Sequence, residues 1–169
     1  TEWVALMQSG SGERGIFNRG GLMTTMPERR LKIWEKKGLI EGGRITGIIG
    51  TNPCGEIILQ SKQFSNLSEV VCRAEDTGKT LLQKIKIASI IGTYQSTLTN
   101  FKYLSKEWKK NCDEERLLGV SLTGQWDSPA VHDPKVLRKL KAESIKINKI
   151  YARKFGISES SCITCVKPS

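Results

Sequence analysis

Apolar positions three and four residues apart dominate the last third of the chain. Leu137, Leu140, Ile147, Tyr151 and Phe155 share one face of a 3.6-residue period, although Ser144 interrupts the stripe. Asp133-Pro134 offers an N-cap and a first-turn proline, and Gly156 stands where a helix C-terminus takes a left-handed residue, so one long helix is expected between them. Leu81, Leu82, Ile85, Ala88 and Ile91 repeat the pattern over 80–91. Gly92 then breaks or kinks the run before 94–103, giving two helices or one bent one. A helix from Met26-Pro27 ending at Gly38 and a short one around Trp3 to Met7 complete the helical segments, with 8–15 as a loop. Three short β-branched or apolar runs read as strands: 44–49, 116–123 closed by Gly124, and 162–166. Strands alternating with helices predict an α/β architecture, and no internal repeat is present.

Composition narrows this to one soluble globular domain of 169 residues, 38% hydrophobic and 26% charged. The longest apolar runs, such as Ile87 to Ile91, are far shorter than the roughly 18–20 residues that span a bilayer, and no signal segment opens the chain, which argues against membrane and secretory readings. Five cysteines (Cys54, Cys72, Cys112, Cys162, Cys165) form an odd set in a chain long enough to bury its own core. Free thiols in a reducing cytoplasm are therefore expected rather than a disulfide scaffold. The single histidine, His132, leaves too little for a His-rich metal site and reads as a surface loop residue.

Of the formal +10, residues 131–169 carry +6, as 9 basic against 3 acidic groups. A basic stretch attracts phosphate, of a nucleotide or of nucleic acid. The plainer reading makes Lys135, Arg138, Lys139, Lys141, Lys146, Lys149, Arg153 and Lys154 the solvated face of the long helix, because no run of aromatics interleaves with them as a base-stacking platform would need. Glu107, Asp113, Glu114 and Glu115 likewise read as a solvated charged face, and Trp108 and Trp126 as packed residues.

Gly50-Thr-Asn-Pro-Cys-Gly55 is too rich in Gly and Pro for a regular element and should be a shaped loop. If it is extended, residues two apart point the same way, so Asn52, Cys54 and Glu56 present an amide, a thiol and a carboxylate on one side. Such a triplet suits a site holding a reactive sulfur near a hydrogen-bonding amide and a base. The same residues also suit an ordinary turn in which Asn52 caps the backbone and Cys54 is a small buried hydrophobe. Cys162 and Cys165 are three apart on a strand and so face opposite sides, which reads as packed residues rather than a redox or zinc pair.

Thr51-Asn-Pro-Cys-Gly-Glu-Ile57 resembles the finger-loop motif of the large catalytic chain of ribonucleotide reductases, in wording closest to the adenosylcobalamin-dependent (class II) members. Five further stretches resemble the family in order along the chain: Ser11 to Asn18, Phe64 to Val70, Thr97 to Phe101, Glu115 to Gly124, and Ile163 to Ser169; residues 31–48 match least. The resemblance implies a partial ten-stranded α/β barrel with a central finger loop, spanning 1–169 and lacking both ends of the barrel. Such a piece exposes strand edges and an apolar face, and is expected to be a poor folder by itself.

The resemblance further implies that Cys54 becomes the thiyl radical that removes the C3′ hydrogen of ribose. Glu56 takes the 3′-hydroxyl proton, Asn52 hydrogen-bonds substrate, and Pro168 and Ser169 begin the loop that binds substrate phosphate. The cofactor implied is adenosylcobalamin (coenzyme B12). The implied partners are a ribonucleoside tri- or diphosphate, with the wording of Gly119 to Gly124 leaning to the triphosphate, an external dithiol such as thioredoxin, and the remainder of the reductase chain; no membrane and no nucleic acid are implied. Ser65 stands where the family has one cysteine of the redox pair that reduces ribose, and a serine cannot form that disulfide. Either this copy cannot complete the reduction, or the residue was altered on purpose, or Cys72 substitutes, which ranks last at seven residues' distance. Two rival readings remain: a basic nucleic-acid-binding module, and a thiol-disulfide module on Cys162 and Cys165. Neither accounts for the ordered set of resembling segments.

Overall fold

Two parallel strands form the spine of the computed structural model, which describes residues 1–11 and 16–164. Strands β5 (Asn66–Val71) and β6 (Leu118–Thr123) pair in register from Asn66 with Leu118 to Val71 with Thr123. Parallel neighbours need a crossover, here supplied by α4 (Gly78–Gln95) and α5 (Lys106–Glu115). After β6, a short 3₁₀ turn (Pro129–His132) and α6 (Pro134–Phe155) bring the chain back so that Thr164 bridges Val120, again in parallel. Leu118, Gly119, Val120 and Ser121 are all buried, the run expected of a parallel strand covered on both faces. Val70, Leu81, Ile85, Ala88, Leu118, Val120, Leu140 and Ile163 form the main core between this pair and the two long helices. The expected α/β character is present in this half.

Helix α4 is a single helix that runs through Gly92 and ends at Gln95; the helix expected over 94–103 does not form, because the Ser96 and Thr97 hydroxyls donate to Thr93 O and Tyr94 O and the chain continues in turns. A Cβ at Gly92 would lie 3.4 Å from Ser68 Oγ and 3.7 Å from Leu118 Cδ2, ordinary contact distances that place this turn of α4 against both strands. Thr77 and Thr80 close a capping box at the start of α4, and the Asp133 carboxylate accepts from Lys135 N–H at 2.8 Å at the start of α6. The helix ends at Gly156, φ +66°, as its sequence predicts.

Before this half come α1 (Glu2–Ser9), α2 (Leu22–Thr25), α3 (Glu28–Lys36) and two antiparallel hairpins. The first pairs β1 (Ile40–Glu41) with β2 (Arg44–Ile45) across Gly42-Gly43, both at positive φ, as a two-residue hairpin turn requires. The second pairs β3 (Ile49–Thr51) with β4 (Ile58–Gln60). A satellite core of Leu22, Met26, Trp34 and Ile40 packs under both, with Ile49 and Ile58 against it.

Several elements differ from expectation. The strand expected over 44–49 is split, because its residues serve two different hairpins. Residues 162–164 make an isolated bridge instead of a strand, and 165–166 lie outside the described residues. Trp126 is 89% exposed, whereas Trp108 packs beside Phe64. Among the described residues the strands form three two-stranded sheets, and no helix is long and apolar enough to cross a membrane. Leu67 and Val71 of β5 and Ile87 and Ile91 of α4 are exposed, the open apolar face expected of a piece of a larger sheet.

Candidate functional site

The loop between β3 and β4 is a tight turn and is not extended. Gly55 N–H donates to Asn52 O at 3.0 Å across Pro53 and Cys54, with Asn and Pro at the first two positions of the turn as its chemistry favours. Gly55 follows at φ +83°, a backbone conformation costly for any residue with a side chain. Asn52 then closes the loop from within: its N–H donates to Ile57 O, and its Oδ1 accepts from Ile57 N–H, both at 3.0 Å. The backbone-capping role for Asn52 is therefore realised, while the buried role for Cys54 is not, since Cys54 is exposed at the tip.

The turn sends its three functional groups in different directions. Cys54 stands at the outward tip, whereas Glu56 lines a cavity of about 290 Å³. Ser65, at the foot of β5, and Cys162, on the segment after α6, line the same cavity, together with Arg30, Leu118 and Thr164. Glu56 Oε2 and Ser65 Oγ are both buried and take no hydrogen-bond partner among the described residues. A buried polar atom left unpaired costs about 1–3 kcal/mol, so two on one cavity mark a place where a polar ligand would be stabilising. The structure thus brings Glu56 and Ser65 together and leaves Cys54 outside their cavity. Pro168 and Ser169 lie outside the described residues, as does Cys165.

One wall of the cavity is fixed by a charge network that sequence reading missed. Arg30 of α3 and Glu115 at the end of α5 are buried and joined by Nε to Oε2 at 2.6 Å. Glu115 Oε2 also accepts from Ser161 Oγ at 3.0 Å, and its Oε1 accepts from Trp34 Nε1 at 2.9 Å and Gln60 Nε2 at 2.7 Å. Arg30 donates onward from its second terminal nitrogen to Ile58 O at 2.7 Å and lies over the Trp34 ring, 4.9 Å from its centroid. The expectation of a solvated face for Glu115 is therefore corrected, since its four donors come from α3, β4 and the segment before Cys162. Nothing in Asp113-Glu-Glu-Arg116 distinguishes the buried carboxylate from its neighbours. Glu114 and Asp113 remain partly exposed in ion pairs with Lys37, Lys109 and Arg116.

Burial pushes the Glu115 carboxyl up, but the Arg30 charge and the hydrogen bonds the carboxylate accepts, from Trp34 and Arg30 among them, outweigh it and hold it below the ordinary value. A carboxyl depressed in the folded state stabilises the fold fully above its unfolded pKa, about 4.3, and loses that contribution as pH falls through the folded value. Melting temperature should stay level from neutral pH down to about pH 5 and drop below the ordinary carboxylate range. Glu115→Gln should start lower and fall less over that acid range; an equal acid slope in both proteins would contradict the assignment.

The other thiols are placed for packing. Cys72 sits in the main core, where burial, then the charge of Asp76, raises its pKa, and burial raises that of Cys112. Cys72 does not line the cavity. Cys162 does line it, half-buried, where a packed strand residue was expected. His132 is exposed, its ring nitrogen 3.0 Å from Gln125 O. No group of three or more His, Cys, Asp or Glu side chains is placed to hold a metal among the described residues.

No family model matches this chain, and no curated protein sequence matches it. Among solved structures it is similar to a crystal structure of a B12-dependent (class II) ribonucleotide reductase, with a TM-score of 0.55 and 23% identity. The match covers 72% of this chain and 21% of that one, so the chain shares its fold with a segment of that reductase and spans a small part of its length.

Proposed function

We propose that this chain is part of the catalytic subunit of an adenosylcobalamin-dependent ribonucleotide reductase, reducing a ribonucleoside triphosphate or diphosphate to its 2′-deoxy form, with the triphosphate favoured. What carries the reading is the pairing of the Thr51 to Glu56 loop, at the turn of a hairpin, with a cavity that Glu56 and Ser65 line with unpaired buried oxygens. That pairing sits on a fold shared with a segment of a B12-dependent reductase.

In this reading Cys54 at the exposed loop tip, as a thiyl radical, takes the C3′ hydrogen and becomes a thiol, and it regenerates the thiyl radical when that hydrogen is later returned. Because Cys54 and Glu56 act at one ribose carbon, the reading requires the ribose at the mouth of the cavity, between the exposed Cys54 tip and the Glu56 wall, where the rest of a barrel would shield it from water. When bound, adenosylcobalamin supplies the homolysis of a cobalt–carbon bond that starts the radical step. Glu56 accepts the 3′-hydroxyl proton through the oxygen that has no protein partner. Asn52 spends its Oδ1 on Ile57 and offers its amide nitrogen to substrate. Overall, one ribonucleotide and one dithiol give one deoxyribonucleotide, one disulfide and water.

Ser65 cannot supply a thiol to that disulfide. With 3′-tritiated ribonucleoside triphosphate, adenosylcobalamin and a small dithiol, the protein expressed from its full reading frame should release tritium from C3′ without sustained product formation. Ser65→Cys should turn over repeatedly. Absence of 3′-tritium loss from both proteins would remove the reading.

A further inference from the structure

The buried pair Arg30 and Glu115 has no place among the reacting groups, yet it is bonded to the hairpin, to α3 and to the segment that carries Cys162. Glu115 takes donors from Trp34 on α3, Gln60 on β4 and Ser161, one residue before Cys162, while its own backbone carbonyl accepts from Ser161 N–H at 2.8 Å. Arg30 fastens the carbonyl of Ile58, two residues after Glu56, and Arg29 fastens Ser161 O at 2.8 Å. The return strand of the hairpin and the Cys162 segment belong to parts of the chain about a hundred residues apart. Leu118 N–H to Cys162 O at 3.0 Å and Val120 N–H to Ile163 O at 2.9 Å hold the Cys162 segment along β6, and the charge-assisted bonds tie that segment across to the hairpin's return strand.

We infer that Glu115 is a positioning residue that, with Arg30, sets the separation between the Glu56 side of the hairpin and the Cys162 wall of the cavity. The inference rests on the reductase reading above for its effect on turnover, and on geometry alone for its effect on the cavity. A buried carboxylate suits the task because four donors converging on two oxygens fix an angle as well as a distance. An apolar contact of the same area would allow sliding. Hydrogen abstraction and proton transfer both depend on sub-ångström placement, so a loosened wall lowers the rate while leaving most substrate contacts in place.

Removing one partner of a buried pair strands the other charge and endangers folding, so the deciding variant is the double change Arg30→Met with Glu115→Gln, which leaves no unpaired charge. In the protein expressed from its full reading frame and carrying Ser65→Cys, this double change should leave a cooperative melt. It should lower kcat about a hundredfold and leave KM nearly unchanged. N-ethylmaleimide should modify Cys162 several-fold faster than in the parent, while the buried Cys112 stays as slow as before. Glu107→Gln, an exposed carboxylate on the same helix, should change none of these readouts. Retention of either the parent kcat or the parent Cys162 reactivity overturns the inference, as does loss of the cooperative melt, which would make the pair a folding element only. If the parent protein forms no deoxyribonucleotide at all, the reductase reading fails by itself, and the Cys162 reactivity alone decides the positioning role.

Discussion

Replacing Cys54 by serine should remove 3′-tritium release and product formation, lowering both by at least about four orders of magnitude, the scale seen when a reacting group is deleted from a catalytic set. The reason is chemical. A sulfur–hydrogen bond is weak enough to be broken and re-formed against a ribose carbon–hydrogen bond, whereas an alcohol oxygen–hydrogen bond is far stronger and does not enter that exchange. The structure lets the effect be read cleanly, because Cys54 is exposed and belongs to neither core, so its substitution should shift stability by no more than about 0.5 kcal/mol. The turn beneath it is built by backbone bonds and by Asn52, neither of which uses the sulfur. Assay of Cys54→Ser beside its parent, with matched melting curves, checks both halves. Residual 3′ exchange above a hundredth of the parent rate would assign the radical step elsewhere.

What the sequence makes legible follows the scale on which each element is encoded. Helix α6 announces itself because periodicity, N-cap, first-turn proline and C-terminal glycine all agree within one stretch. Helix α4 is almost as plain up to Gln95, but Gly92 does not break it, and the run over 94–103 that suggested more helix folds as turns instead. Strands β4 and β5 carry no strong local pattern: β4 is three residues long, and Asn66-Leu-Ser-Glu-Val-Val71 alternates only loosely. They exist because Ile49–Thr51 and Leu118–Thr123 offer them partners.

The site divides in the same way. The Thr51 to Glu56 loop is visible as an improbable mixture of turn formers and reactive groups, and the structure keeps it as a turn. Its extended geometry was an assumption, however, and the turn sends Glu56 into the cavity while pointing Cys54 outward. Arg30, Glu115 and Cys162 were illegible for a physical reason. A charged residue on an amphipathic helix is normally solvated, and nothing local tells a reader that Ser161, Trp34 and Gln60 will converge on one of several acidic side chains. Burial of charge is a property of the assembled fold, and so is the cavity it frames.

The same assembly makes Trp34→Ala the substitution with the largest expected effect on stability. Trp34 is fully buried at the centre of the satellite core, touching Leu22, Met26 and Ile40, and removing so large a side chain from a packed interior costs about 3–5 kcal/mol. Two further losses act in the same direction. Glu115 Oε1 would lose the indole N–H donor at 2.9 Å, and Arg30 would lose the ring it lies over, leaving a buried ion pair with fewer supports. Trp34→Phe narrows the contributions, since it keeps an aromatic ring while removing the donor and part of the indole, and should cost less than Trp34→Ala, about 2 kcal/mol. Urea unfolding of both variants in the protein expressed from its full reading frame measures the difference. A Trp34→Ala cost below about 1 kcal/mol would mean that the satellite core does not hold the hairpin. If the cost is as large as expected, the hairpin's loop is anchored through a core built by residues earlier in the chain than its own turn, and disturbance there should reach Glu56 and Cys54 without touching either.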